Sequence, residues 1–198
     1  MKSKSKNKGL DGKQLTKKNR PQVRPVESEM KNLSYKIILE KETFKFSCSH
    51  FTILAPNKAE RLHGHNYYLS CEIGVNSVDK DLGFAFDLNT IKPILKQICD
   101  ELDERIVIAG DSPYLKIKRS KIEVELRFAS RRYVFPRNET VVLEISNVTV
   151  EELSRWILEK LMKKIKKQSI TPKISWIAIG LEESRGQKVI AKLALSHK

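Results

Sequence analysis

The chain has 198 residues, a mass of 22.8 kDa, 40% hydrophobic and 31% charged residues, and a formal net charge of +14. That composition fits one globular domain with extensions and a true core. It excludes a helical membrane protein, because no apolar run approaches the ~20 residues of a span, and a secreted disulfide scaffold, because the three cysteines are odd in number and scattered. The basic N-terminus lacks the apolar stretch of a secretory signal, so a cytoplasmic protein is expected.

Residues 1–32 carry ten lysines and arginines against three acids, half of the net charge. With almost no apolar residue this segment reads as a disordered basic tail, leaving residues 33–198 as the folded domain. The other +7 is spread over the body, with a cluster at Lys163-Lys164-Ile165-Lys166-Lys167 that suits a helix C-terminus. No aromatic–basic interleaving accompanies the charge, so nucleic acid is not the expected partner. A positive body does suit a polyanionic small substrate such as a triphosphate.

Leu33 to His50 reads as one long or bent strand, ending in the alternating Phe44, Phe46, Cys48 and His50. Phe51 to Leu62 is expected to be a loop, and Asn66 to Val75 a second strand with Tyr67, Leu69, Cys71 and Ile73 on one face. After a turn at Asp81-Leu82-Gly83, the run Phe84–Leu88 reads as a short strand. Asn89 is a candidate cap for a helix carrying Ile91, Ile94, Leu95, Ile98 and Leu102. Residues 106–146 form a β-rich insert with strands at 121–128, 132–135 and 141–145. Thr149 and Glu152 make a capping box for a second helix, whose apolar stripe is Leu153, Trp156, Ile157, Leu161 and Ile165. Pro172 follows it, and 174–181 and 188–195 form a terminal hairpin. The order strand, strand, helix, insert, helix, strand, strand points to an α+β fold, an antiparallel sheet with both helices on one face.

Three of the four histidines cluster in this reading: His50 at one strand end, and His63 and His65 at spacing i, i+2 before the next. On a strand that spacing projects both imidazoles to the same side. Together the three make a three-nitrogen site with an open fourth position, the pattern of a catalytic metal centre. Zinc (Zn2+) is the favoured ion, although iron or nickel accept the same ligands.

The motifs Phe46-Ser47-Cys48-Ser49-His50, Leu62-His63-Gly64-His65-Asn66-Tyr67, Gly83-Phe84-Ala85-Phe86-Asp87, Leu102-Asp103, Asn147-Val148-Thr149-Val150-Glu151 and Glu182-Glu183-Ser184 follow one another in the chain. On these, the sequence from about Tyr35 to Leu195 resembles the 6-pyruvoyltetrahydropterin synthase / 6-carboxytetrahydropterin synthase family. The resemblance implies the tunnel fold (T-fold), whose ββααββ units assemble into trimers stacked as a hexamer. It implies zinc on His50, His63 and His65, and a small pterin substrate of the 7,8-dihydroneopterin triphosphate type. Glu183 matches the family's pterin anchor, with Glu182 as the competing assignment, and Thr149 matches a residue near the pterin.

Two positions depart from the family pattern. The catalytic cysteine four residues before the first histidine of His-Gly-His is replaced by Ala59, and Glu60 instead gives Glu-x-x-His-Gly-His. This looks like the branch in which glutamate replaces cysteine and the product is a 6-hydroxymethyl-dihydropterin for folate-type cofactors; a carboxylate beside zinc is a reasonable base for the retro-aldol cleavage this requires. At Asp103-Glu104 the family usually has Asp-His, so either these two act as a carboxylate pair or the proton relay is lost. The expected function is therefore a zinc-dependent lyase releasing 6-hydroxymethyl-7,8-dihydropterin. The alternatives are a 6-carboxytetrahydropterin synthase of queuosine-type biosynthesis, a 6-pyruvoyltetrahydropterin synthase, or a non-catalytic pterin-binding protein.

Overall fold

The computed structural model describes residues 33–166 and 174–195. The tail 1–32, Lys167, Pro172 and His197 lie outside the described residues. Alternation of apolar and polar side chains lays down the central strand β5, His63–Val75, which has its odd-numbered residues on one face. Tyr67, Leu69, Cys71, Ile73 and Val75 are buried along that face. Strand β2, Lys45–His50, pairs antiparallel with the first half of β5, placing His50 opposite His63 and Cys48 opposite His65. Strand β1, Tyr35–Leu39, pairs with the second half of β5. The expected single strand 33–50 is thus two, divided by a turn in which Phe44 N–H donates to the Lys41 carbonyl at 2.9 Å.

On the other side of β5 runs β11, Ile174–Ser184, followed by the edge strand β12, Gln187–Ala194. Helices α1, Lys92–Leu102, and α2, Val150–Lys166, cover one face of this sheet. Ile94, Leu95, Ile98 and Leu102 of α1 join Leu153, Ile157, Leu161 and Ile165 of α2 and the inward residues of β5 in one core. No helix among the described residues is long and apolar enough to cross a membrane.

Four local expectations are corrected. Residues 84–88 are not a strand; they lead into a 3₁₀ turn, Leu88–Thr90, whose N-cap is Asp87, not Asn89. The Asp87 carboxylate accepts from Asn89 N–H at 2.9 Å, while α1 itself begins after Ile91 without a side-chain cap, with a proline in its first turn. Within the expected loop 51–62 there is a small hairpin, β3 (Ile53–Ala55) with β4 (Lys58–Ala59). The capping box at α2 is half formed: Glu152 N–H donates to Thr149 Oγ1 at 3.3 Å, but the Glu152 carboxylate turns to Ser146 N–H.

The sheet is also mixed, not purely antiparallel. Strand β6, Arg105–Ala109, runs parallel to β2, and β10, Thr140–Leu143, runs parallel to β6. A parallel pair needs a crossover connection, and residues 110–139 provide it as a separate three-stranded sheet: β7 (Lys116–Arg119), β8 (Glu123–Phe128) and β9 (Arg131–Pro136). That sheet has its own small core, in which Val124, Leu126 and Phe128 meet Phe51, Ala59 and Ile108.

Candidate active site

The β2–β5 pairing brings the three histidines together. Their ligand nitrogens lie within 4.8 Å of one another, and the His50 and His63 rings are 4.7 Å apart between centroids. Each of two rings is tied at Nδ1 to a carbonyl: His50 to Val148 at 3.3 Å and His63 to Arg61 at 2.7 Å. A carbonyl can only accept, so Nδ1 carries the proton and Nε2 presents its lone pair, the usual outer support of a metal-binding imidazole. His50 is buried; burial, then the nearby His63, push its pKa below the ordinary range against the opposing pull of Glu183. The neutral, metal-binding form is therefore favoured.

Glu183 reaches the same point from β11. Its Oε1 lies 3.4 Å from His50 Nε2 and 3.9 Å from His65 Nε2. The Tyr67 hydroxyl donates to that oxygen at 2.7 Å and stands 3.0 Å from His50 Nε2. Burial and this hydrogen bond raise the Tyr67 pKa far above the ordinary phenol value, so the hydroxyl keeps its proton. The Nε2 lone pairs of His50 and His63, the His65 ring and the Glu183 Oε1 thus converge with one hydroxyl proton among them. That excess of electron pairs fits a divalent cation.

Glu60 stands at the rim. Its Oε2 is 3.9 Å from His63 Nε2 and accepts from Thr52 N–H at 3.1 Å, while Glu60 N–H donates to the Thr52 carbonyl at 3.0 Å. Burial works upward on its carboxyl, but Thr52 and the facing histidines His63 and His50 outweigh it and hold the pKa below the usual range. Glu60 is therefore a carboxylate at neutral pH. Cys48, on the same face, has its thiol pushed up to about 12 by burial and by Glu183 and Asp103, which leaves it protonated and a poor nucleophile.

The other sequence candidates fall elsewhere. Glu182 accepts from Gly186 N–H at 3.0 Å, closing the hairpin turn, so of the two neighbours Glu183 is the one at the cluster. Thr149 caps α2, one residue beyond the carbonyl that holds His50. Asp103 ends α1 and accepts from Ser47 N–H at 2.8 Å. Glu104, at φ +55°, lines a polar cavity of about 460 Å³ with Ser47, Ser49, Asn66 and Arg105, to which His65 and Cys48 also contribute. Ser47, Ser49 and Asn66 belong to the β2–β5 face opposite the histidines. Neither Asp103 nor Glu104 makes a hydrogen bond or ion pair with the histidines among the described residues. Sequence reasoning missed Tyr67 and Thr52; for Tyr67 the available signal is its position two residues beyond His65 on the same strand face.

This combination is an α+β sheet with both helices on one face and, at the end of its central strand pair, three imidazoles that could hold a metal ion. The family model described as 6-pyruvoyl tetrahydropterin synthase matches residues 38–192, and the chain belongs to that family of pterin-biosynthesis enzymes. A Methanocaldococcus jannaschii protein provisionally named 6-carboxy-5,6,7,8-tetrahydropterin synthase is 25% identical over 143 residues, covering 72% of this chain and 86% of that one. A Rickettsia felis 6-carboxy-5,6,7,8-tetrahydropterin synthase is 37% identical over 68 residues, 34% of this chain and 49% of its own. Among solved structures, the Plasmodium falciparum 6-pyruvoyl tetrahydropterin synthase aligns with a TM-score of 0.76 at 28% identity, covering 83% of this chain and all of its own. The Plasmodium vivax protein has the same TM-score at 24% identity, covering 82% and 99%, and shares the fold.

Proposed function

We propose that this chain is a metal-dependent lyase, with zinc as its ion, that cleaves the side chain of 7,8-dihydroneopterin or its triphosphate to leave 6-hydroxymethyl-7,8-dihydropterin. The observation that carries this reading is Glu60: an ionised carboxylate 3.9 Å from a histidine of the cluster, on a face where the nearest thiol is held protonated. His50, His63 and His65 would hold the ion, which when bound supplies Lewis acidity to the side-chain hydroxyls.

The chain's own residues do the rest. Glu183 holds the pterin through its amino group and ring N–H, as a carboxylate accepts paired donors. Glu60 takes the proton from the C2′ hydroxyl. The C1′–C2′ bond then breaks, C2′ leaves as an aldehyde, and the electron pair passes into the pterin ring. Protonation at C1′ by Glu60 completes the 6-hydroxymethyl product and restores the base. Thr52 keeps the carboxylate aimed, and Tyr67 orients Glu183. Asp103 and Glu104 have no role in this scheme within one chain.

A second reading, 6-carboxytetrahydropterin synthase activity, is favoured by the names of the archaeal and rickettsial relatives. We infer a homohexamer of two trimers in solution; the exposed Ile190 and Leu193 on edge strand β12 suit burial between copies. The three cysteines are free and buried, in keeping with a cytoplasmic setting.

Product identification decides among the readings. Metal-loaded protein is incubated with 7,8-dihydroneopterin triphosphate and with dihydroneopterin, and the oxidised pterins are resolved by chromatography and mass. A 6-hydroxymethylpterin that disappears in Glu60→Ala, with a turnover loss of ~10²–10⁴-fold, is the expected result. A 6-carboxypterin supports the second reading, and tight pterin binding without turnover defines a binding protein.

A further inference from the structure

The β7–β8–β9 sheet contributes no side chain to the histidine cluster, yet its inner face packs on the segment that joins His50 to His63. Alternation along β9 half-buries Arg131, Tyr133 and Phe135 and exposes Arg132, Val134 and Pro136. Tyr133 stacks on Phe51, the residue directly after His50, at 5.7 Å between ring centroids, and Phe128 packs against the same ring at 6.2 Å.

Arg131 leaves this face at the β8–β9 turn, where it pairs with Phe128. The turn contains Ala129 at φ +48°, a left-handed conformation that an alanine holds only when its surroundings fix it. From there the Arg131 guanidinium donates Nη1–H to the Glu60 carbonyl at 2.5 Å and Nη2–H to the Ala59 carbonyl at 2.9 Å. A planar fork on two successive carbonyls fixes the peptide plane between them, which one lysine ammonium does not reproduce. Thr52 holds Glu60 from the other side, through its N–H and its carboxylate. Both backbone groups of Glu60 are thus occupied, and its side chain is left aimed at His63.

We propose that Arg131 is a positioning residue for Glu60, and that the inserted sheet exists at this place in the chain to deliver it. The inference rests on the reading of Glu60 as the base. An arginine that merely stapled a surface loop would change stability without selectively changing the chemical step. One that aims a base changes kcat with little effect on substrate binding.

The test compares Arg131→Ala, Arg131→Lys and Arg132→Ala in the full-length metal-loaded protein. Arg132 is a neighbour on β9 that pairs with Glu125 at 2.8 Å and faces away from Glu60. Arg131→Ala is expected to lower kcat by ~10–100-fold with KM within ~3-fold of wild type. Metal content by elemental analysis stays at the wild-type level, and amide hydrogen exchange in the peptide spanning residues 58–62 accelerates. Arg131→Lys, which keeps the charge and the stem, recovers part of the loss and carries the same test if the alanine variant does not fold. Arg132→Ala leaves kcat and the exchange of that peptide unchanged.

The proposal is overturned if Arg131→Ala keeps kcat within ~2-fold, if exchange at 58–62 does not change, or if Arg132→Ala loses activity equally. Glu60→Gln is measured alongside. Full turnover in Glu60→Gln sinks the base assignment and with it the purpose of the clamp. Loss of turnover in Glu60→Gln with a silent Arg131→Ala sinks the clamp alone.

Discussion

The strand pair β2–β5 and the segment that joins it, residues 51–62, hold their functional groups in different ways. The histidines ride on a backbone ladder whose pairing His50↔His63 and Cys48↔His65 is fixed by the buried face of both strands. Glu60 has no such ladder beyond the two-residue strand that ends at Ala59. It is held by single contacts from Thr52 and Arg131, and its surroundings are tied down by Asn147, whose amide accepts from Ile53 N–H at 3.0 Å and donates to the Ile53 carbonyl at 2.9 Å. The three histidines are built into the sheet, whereas Glu60 is suspended between two loops and an inserted sheet. Metal binding and turnover should therefore respond separately to mutation.

The largest effect is expected on the ladder side. His63→Ala should lose its metal on dialysis, read by elemental analysis, and turnover should fall by at least about 10³-fold; retained metal at wild-type stoichiometry would mean that the cluster is not the metal site. Asn147→Ala tests the suspended side. It removes three hydrogen bonds, counting the one from Val148 N–H at 3.0 Å, and should cost about 2 kcal/mol in urea unfolding while metal stays bound. Metal loss in this variant would erase the distinction between the two regions.

Tyr67→Phe lies between them. The loss of one donor to Glu183 should cost about 1 kcal/mol and raise KM for the pterin more than it lowers kcat. The smallest effect is expected at Glu152, whose carboxylate is held below its ordinary pKa by Arg155 first and by Ser146 N–H and hydroxyl as well, with burial opposing. Because the folded-state pKa is lowered, the stabilisation is complete above the unfolded carboxylate range and is lost as pH falls through the folded value. Glu152→Ala should thus be less stable than wild type by about 0.5–1 kcal/mol at pH 7. The difference should close in acid; a gap that persists there would assign it to packing.

How much of this was legible in the sequence depended on whether a residue's role is local. His63 and His65 sit two apart, so strand alternation alone puts them together, and the pattern of β5 shows which way they face. The helices were legible from their apolar stripes. Residues 84–88 misled because apolar composition without alternation does not make a strand when no neighbour pairs with it, and Asp87 took the capping role by reaching two residues forward. The parallel pairing of β6 and β10 depended on a crossover whose shape no single stretch encodes. Arg131 was invisible for the same reason: its contacts with Ala59 and Glu60 span 72 and 71 residues, and nothing in Arg-Arg-Tyr says which arginine turns inward until the strand face is known. Glu183 and Glu182 were equivalent as letters; the turn at Gly186 separates them.

The sequence separations within the site also set the order in which it is assembled during synthesis. His50 and Tyr67 are 17 residues apart, whereas His50 reaches Val148 across 98 and Tyr67 reaches Glu183 across 116. Closing the first of these loops has the lowest entropic cost. All three imidazoles are on the nascent chain as soon as β5 has been made and β2 and β5 can pair, well before Val148 and Glu183 are added. The carbonyl that orients His50 and the carboxylate that meets the cluster arrive only later, with Val148 and Glu183. A growing chain therefore brings its three imidazoles together before the Glu183 side of the cluster exists.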